Sequence, residues 1–142
     1  MWADTFLHAE QQHLLRLLLW AGLSIVGATS VGTMMAVRRT LSPFLAHFAA
    51  QMAAWGAVVG TIAAIELHTS HLRDLSGAAR LERLLWMNVG LDVGFVATGA
   101  VLALYAWTAA KRSAGVGAGT GIVIQGVALL VIDLQYASMI SR

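Results

Sequence analysis

The sequence has no cysteine and few charged residues, and both shortages limit what the protein can be. Without cysteine the chain forms no disulfide, no thiolate metal site and no thiol nucleophile. Charged residues make up 11% of the chain, against about 25% in soluble domains. Hydrophobic residues make up 58%, against about 45–50% in soluble domains. The composition therefore predicts an integral membrane protein that forms a single domain of 142 residues.

The excess of basic over acidic residues is small, nine against seven, and in a membrane protein it indicates topology. We therefore expect the lipid bilayer as a partner and no nucleic acid. The sequence contains no nucleophile elbow, phosphate-binding loop or zincin motif, which argues against a hydrolytic or nucleotide-using enzyme. His68 and His71 are only an i, i+3 pair, so we predict no metal site, and the sequence identifies no cofactor.

Four apolar runs are each long enough to cross about 30 Å of hydrocarbon as a helix. The fold class is therefore all-α, a four-helix transmembrane bundle. Ser42 and Pro43 suit the N-cap and first position of the second helix, and the glycine-rich segment before the fourth span allows a flexible turn or a helix start. The predicted spans are residues 14–37, 43–67, 84–107 and 117–139.

The first twelve residues contain Asp4 and Glu10 but no Lys or Arg, which is atypical of a secretory signal peptide, so we expect them in the mature protein. Trp2, Phe6 and Ala9 recur at roughly helical spacing. This pattern predicts a short N-terminal interfacial helix, with Trp2 near the lipid headgroups.

The two short hairpins carry only basic charges, at Arg38, Arg39, Lys111 and Arg112. Basic residues concentrated in short loops favour the cytoplasmic side. We therefore predict a multi-pass protein of the bacterial inner membrane with both termini in the periplasm, although the basic residues number four on the hairpin side and five on the terminal side.

Polar residues from several spans are predicted to lie at one depth. At about 1.5 Å per residue, Asp92 in span three and Asp133 in span four fall at similar heights, and Asn88 lies one turn from Asp92 on the same face. An ionisable residue inside a membrane span is a candidate functional residue. The predicted cluster consists of Asp92, Asp133, Asn88, Arg16, Tyr136 and His13.

Two carboxylates close together at low dielectric do not both stay ionised unless a cation lies between them. Arg16 is the expected cation, and an Arg16–Asp92–Asp133 network would then only fix the packing of the helices. The alternative is a site that binds a proton or a ligand. Both interpretations stay open at this point.

A second polar stripe runs along span two at four-residue spacing, with His47, Gln51 and Trp55, and Gln125 of span four joins it. His47 would be the residue to ligate a haem or chlorin or to hydrogen-bond a quinone. No second histidine lies at its depth, so a packing role is the alternative.

Three Gly-xxx-Gly pairs occur in the spans, at Gly56 and Gly60, Gly90 and Gly94, and Gly117 and Gly121. Small residues let helix backbones approach closely. They serve either the packing of the four helices or contact with another subunit.

Three stretches resemble an uncharacterised family of small bacterial four-span membrane proteins. The stretches are Gln51-Met-Ala-Ala-Trp55-Gly56, Asn88-Val-Gly-Leu-Asp92-Val-Gly94 with Gly99, and Gly119-Thr-Gly121 through Gln125-Gly126 and Leu130 to Asp133-Leu134. The resemblance implies four spans and no established activity, and it adds weight to Gln51, Asn88, Asp92, Gln125 and Asp133.

The function expected from the sequence is association, as a homo-oligomer or an accessory subunit of a larger membrane complex. One alternative is a binder or conduit for a proton, a cation or a quinone-like lipophile that uses the Asp, Asn and Arg cluster. A second alternative is a tetrapyrrole-binding protein that uses His47.

Overall fold

The structure is a computed structural model that describes residues 2–72 and 74–140. Four helices make up nearly all of it, and all four are long and apolar enough to cross a membrane. This confirms the all-α four-helix prediction. The helices are α1 (Trp2–Arg38), α2 (Pro43–Thr69), α3 (Leu75–Thr108) and α4 (Ser113–Ile140).

Three of the helices begin earlier than the sequence predicts. The N-terminal segment is not a separate short helix but the first turns of α1, because no glycine or proline interrupts it. Helix α3 begins at Leu75, where the Asp74 carboxylate accepts a hydrogen bond of 2.7 Å from the Gly77 amide. The glycine-rich segment is the start of α4. The side chain of Trp2, predicted at the headgroups, lies outside the described part of the chain.

The two short hairpins turn in the same way. Each passes through one basic residue in the left-handed region, Arg39 at φ 50° and Lys111 at φ 51°. Helix α2 then begins as predicted, with Pro43 in its first turn and the Ser42 hydroxyl as the cap, accepting from the Leu45 amide.

Helix α4 lies at the centre of the bundle and packs against the other three helices, and α1 also packs against α2. In the described residues, no Cα of α3 comes within 8 Å of a Cα of α1 or α2. The contact between α3 and α4 is very close, because a methyl group at Gly99 would lie 2.8 Å from the Gly119 carbonyl oxygen. Helix α3 is thus attached to the bundle through α4, which leaves a space between α2 and α3.

The Gly-xxx-Gly pairs differ in what they face. Gly56 and Gly60 of α2 pack against α1 around Ala21, and Gly117 and Gly121 of α4 pack against α2. A methyl group at Gly90 or Gly94 would meet nothing within 4 Å. Two pairs therefore serve the bundle, while the pair on α3 is open.

Candidate functional site

Asp92 is buried by the packing of α3 on α4. The residues that α3 buries recur every seven positions, which is about two helical turns and keeps them on one face. Asp92 is the one charged residue among them and is only 4% exposed. The buried residues of this seam are Ala78, Leu85, Asp92, Gly99 and Ala106.

A cavity of about 200 Å³ lies next to this seam, between α2 and α3, with α4 and α1 behind it. We call it the α2/α3 cleft. Its polar lining comes from all four helices, and its apolar walls are mainly aromatic and branched aliphatic side chains. The polar residues are His13, Glu66, Asn88, Asp92 and Asp133, and the walls include Trp55, Val59, Ile62, Leu91, Phe95 and Leu129.

The cleft is open towards the surrounding lipid. Helices α2 and α3 make no backbone contact that would close it, and Ile62 and Leu91 on its two sides are each about half exposed. Trp55 and Phe95 close one end, with ring centroids 4.8 Å apart. The carboxylates are therefore accessible from the side of the bundle, between α2 and α3.

His13 of α1 is the polar neighbour of Asp133. Its Nε2 lies 3.6 Å from Oδ1 of Asp133, and its ring stacks on Tyr136 with centroids 4.5 Å apart. Asp92 and Glu66 are close enough to interact electrostatically with Asp133. The structure thus brings His13, Asp92 and Asp133 of the predicted cluster together, with Tyr136 beside them and Asn88 at the exposed mouth.

The carboxylate of Asp92 is incompletely satisfied. Its Oδ2 is buried and has no hydrogen-bond partner among the described residues. A buried polar atom without a partner costs about 1–3 kcal/mol, and more when it is charged. The geometry therefore favours a further donor, a proton or a cation at this oxygen.

Arg16 does not take the position predicted for it between the carboxylates. Its Nη1 instead donates to Oε1 of Gln135 at 3.1 Å, in an exposed part of the structure. Within the described residues it forms no ion pair with Asp92 or Asp133. A long, strongly hydrated side chain near a helix end extends towards water, and the predicted Arg16–Asp92–Asp133 network is thus not present.

The second polar stripe does not form one site either. His47 is exposed and its Nδ1 bonds only to the Pro43 carbonyl of its own helix, at 2.9 Å. Trp55 turns to the cleft, and Gln51 packs against Gly121. Tetrapyrrole binding by His47 stays a prediction, which the visible absorption spectrum of the purified protein tests.

Gln125 belongs to a separate hydrogen-bond network, the Gln125 network, in which Gln125 and Ser24 are buried and Trp20 is half-buried. Its Oε1 accepts from Trp20 Nε1 at 2.7 Å, and its Nε2 donates to Ser24 Oγ at 3.0 Å and contacts Met52 Sδ at 3.6 Å. The network joins α1, α2 and α4, and none of its residues lines the α2/α3 cleft. The sequence did not point to Trp20 or Ser24, because each is a lone polar group in an apolar run.

The described residues contain no group of three or more His, Asp or Glu side chains arranged to hold a metal ion. The fold and the α2/α3 cleft define a multi-pass helical membrane protein with carboxylates in a lipid-facing cleft. The chain belongs to DUF6992, a family of unknown function, which matches residues 16–134. No curated protein and no solved structure shows significant similarity to the chain.

Proposed function

We propose that the protein binds a small lipophilic molecule with a polar head in the α2/α3 cleft. The observation that carries the proposal is the buried, unpartnered Oδ2 of Asp92 at the wall of a cavity that opens to lipid. Binding sites for small molecules are mostly apolar, with a few polar groups that fix the orientation of the ligand. The cleft has this composition.

The size of the cleft limits the part of a ligand that it holds. At about 200 Å³ it is smaller than the roughly 300–1,000 Å³ of a typical pocket for a drug-sized molecule. It therefore takes the head and the first part of a tail, and the rest of the tail extends between α2 and α3 into the bilayer.

Photocrosslinking in phosphatidylcholine vesicles tests the proposal. The probe is an alkyl alcohol with a diazirine in its chain, and the labelled peptides are identified by mass spectrometry. We expect saturable labelling of residues 55–66 and 88–95. Labelling that is linear with probe concentration and spread over all four helices contradicts the proposal.

A matched pair of variants makes this test specific. Val59 lines the cleft, so Val59→Phe fills it and removes the saturable labelling. Val101 on α3 is 67% exposed and lies outside the cleft, so Val101→Phe leaves the labelling unchanged.

We propose association with a second copy of the chain as a second function, supported by the open glycine pair on α3. At 100° per residue, Gly90 and Gly94 lie on the side of α3 opposite to Asp92 and hence opposite to α4. Small residues at four-residue spacing on a lipid-facing helix allow another helix to approach closely.

Subunit counting by single-molecule photobleaching in vesicles tests association. The double variant Gly90→Ile with Gly94→Ile is expected to abolish dimers. The control is Gly22→Ile on α1, another glycine without neighbours within 4 Å. A monomeric native protein contradicts the proposal, and copurification of a different membrane protein in mild detergent indicates the accessory-subunit role instead.

We further propose the bacterial inner membrane as the location, with the hairpins in the cytoplasm. Both hairpins carry only basic charges, which the positive-inside rule favours in the cytoplasm. Because the chain has no cysteine, Thr40→Cys and Ser70→Cys each introduce a single labelling site. An impermeant maleimide applied to intact spheroplasts should label Ser70→Cys and not Thr40→Cys, and the reverse result overturns this orientation.

A further inference from the structure

We infer that the ligand of the α2/α3 cleft is a cationic amphiphile, an ammonium group on a single hydrocarbon tail, with the cation at Asp92 and Asp133. This inference rests on the proposed function and specifies the class of ligand. It follows from the charges that line the cleft, from the free oxygen of Asp92 and from the direction in which the cleft opens.

The charged groups beside Asp92 are unbalanced. Asp92 and Asp133 both line the cleft, and in the described residues no Lys or Arg does so. The only basic side chain in the lining is His13, which already lies against Asp133. Arg16, the cation that the sequence predicts between the carboxylates, bonds instead to the exposed Gln135 of α4.

The hydrogen-bonding groups favour a donor or a cation over an acceptor. Oδ2 of Asp92 is buried and has no partner in the described residues, and an ionised carboxylate only accepts hydrogen bonds. A ligand whose polar head only accepts, such as a quinone carbonyl, satisfies this oxygen only when Asp92 carries a proton. A cation satisfies the ionised form and also separates the two carboxylates, which repel each other at low dielectric.

The walls of the cleft match a hydrocarbon tail that begins next to the cation. Phe95 lies one turn from Asp92 on the same helix, and its ring meets that of Trp55. Ile62 and Leu91 form the exposed rims on α2 and α3. A tail leaving the carboxylates therefore contacts apolar side chains until it reaches lipid.

A free single-chain amphiphile fits better than the amine of a phospholipid. In phosphatidylethanolamine the ammonium is two carbons from an anionic phosphate, which would enter the cleft with it. The phosphate would then lie beside the carboxylates of Asp92 and Asp133 at low dielectric, where repulsion between like charges is strong.

Photocrosslinking with three matched probes in vesicles of phosphatidylcholine tests the inference. All three have the same diazirine-bearing alkyl chain, and their heads are primary ammonium, hydroxyl and sulfonate. We expect the ammonium probe to reach half-saturation of the cleft peptides at a concentration at least about tenfold lower than the alcohol. We expect no saturable labelling by the sulfonate.

Two carboxyl-to-amide variants show whether the selectivity comes from the cleft. Asp92→Asn keeps the shape of the side chain and removes its charge, so it is expected to raise half-saturation about tenfold for the ammonium probe and by a smaller factor for the alcohol. Glu82 is an exposed carboxylate on the same helix outside the cleft, and Glu82→Gln should change neither value.

The outcomes separate this inference from the proposed function. Equal half-saturation for the ammonium and the alcohol overturns the cationic class and leaves the binding site standing, whereas no saturable labelling by any probe overturns both. Replacing part of the vesicle lipid by phosphatidylethanolamine should not displace the ammonium probe. Displacement by that lipid overturns the inference of a free amphiphile.

Discussion

Nε2 of His13 lies 3.6 Å from Oδ1 of Asp133, and this pair connects α1 to α4 in the layer of the membrane that contains the cleft. The histidine is held from its other side by stacking on Tyr136. His13 thus has the position beside a carboxylate that the sequence suggests for Arg16. The difference matters because a histidine leaves the charges of the cleft unbalanced, whereas an arginine would have neutralised one of them.

A double-mutant cycle distinguishes these two arrangements. We expect His13→Phe, which keeps an aromatic ring against Tyr136, and Asp133→Leu to be coupled by about 0.6 kcal/mol and by no more than about 1.7 kcal/mol, the average and the maximum for polar contacts between membrane helices. The free energy of unfolding is measured by SDS titration in mixed micelles. Arg16→Leu combined with Asp133→Leu is the matched cycle, and a coupling there as large as that of His13 contradicts the structure.

The Gln125 network is expected to stabilise the bundle without contributing to ligand binding. Gln125→Leu leaves Trp20 Nε1 and the Ser24 hydroxyl without their partner, at an expected cost of about 1–2 kcal/mol in the same SDS titration. Thr61→Val is the control, because Thr61 is exposed and bonds only to the Ala57 carbonyl of its own helix. A loss of probe labelling in Gln125→Leu at unchanged stability would contradict the separation of the two sites.

The sequence predicted the number and type of helices because long apolar runs are decided locally, by composition and length. It also predicted that Asp92 and Asp133 lie at similar depth, since helical rise converts residue number into height. It did not predict which long side chain reaches Asp133. Arg16 and His13 are less than one turn apart, and the choice between them depends on how α1 is rotated against α4.

The second polar stripe does not form one site, and the cause is again how the helices are arranged around each other. His47, Gln51 and Trp55 share a face of α2, but this face has different neighbours along its length: His47 is exposed, Gln51 packs against α4 and Trp55 packs against α3. Gln125 faces α1 and α2 around Ser24 and Met52. Which helices are adjacent is a property of the whole bundle, and four similar apolar sequences do not specify it.

The close contact between α3 and α4 should tolerate no extra atom at Gly99. A methyl group there would lie 2.8 Å from both the Gly119 carbonyl oxygen and the Val123 amide nitrogen, and backbone cannot give way as a side chain can. We expect Gly99→Ala to destabilise the bundle by about 1–3 kcal/mol. A methyl group at Gly94 of the same helix would have no neighbour within 4 Å, so Gly94→Ala should leave the stability of the bundle unchanged or raise it slightly. Equal effects of the two variants would contradict this packing.

The start of α3 should depend on pH through Asp74, which lies outside the membrane-spanning helices. The Gly77 amide and, less strongly, the Ser76 hydroxyl donate to its carboxylate and hold the pKa of Asp74 below its ordinary value. A lowered pKa in the folded state means that the stabilisation is complete above the ordinary pKa of Asp and is lost as pH falls through the lowered value.

Hydrogen exchange measures this effect as the protection factors of the Gly77 and Ala78 amides. We expect both protection factors to be lower at about pH 2 than at about pH 7, because protonation of the Asp74 carboxylate weakens the cap. In Asp74→Asn, which keeps a capping oxygen without a titrating group, the two protection factors should not change with pH. A pH dependence as large in this variant as in the native chain assigns the effect to another group.

The hairpin at Lys111 should become more stable when a glycine replaces the lysine. Lys111 has φ 51°, a conformation that costs a residue with a Cβ about 1–2 kcal/mol, whereas glycine adopts it freely and loses about 0.5–1 kcal/mol more conformational entropy on folding. The net expectation for Lys111→Gly is a gain of up to about 1.5 kcal/mol in the free energy of unfolding. Arg112→Gly is the control, since Arg112 carries the same charge at a negative or extended φ and should be neutral or destabilising. If both variants gain stability equally, removal of a charge explains the result and the left-handed turn does not.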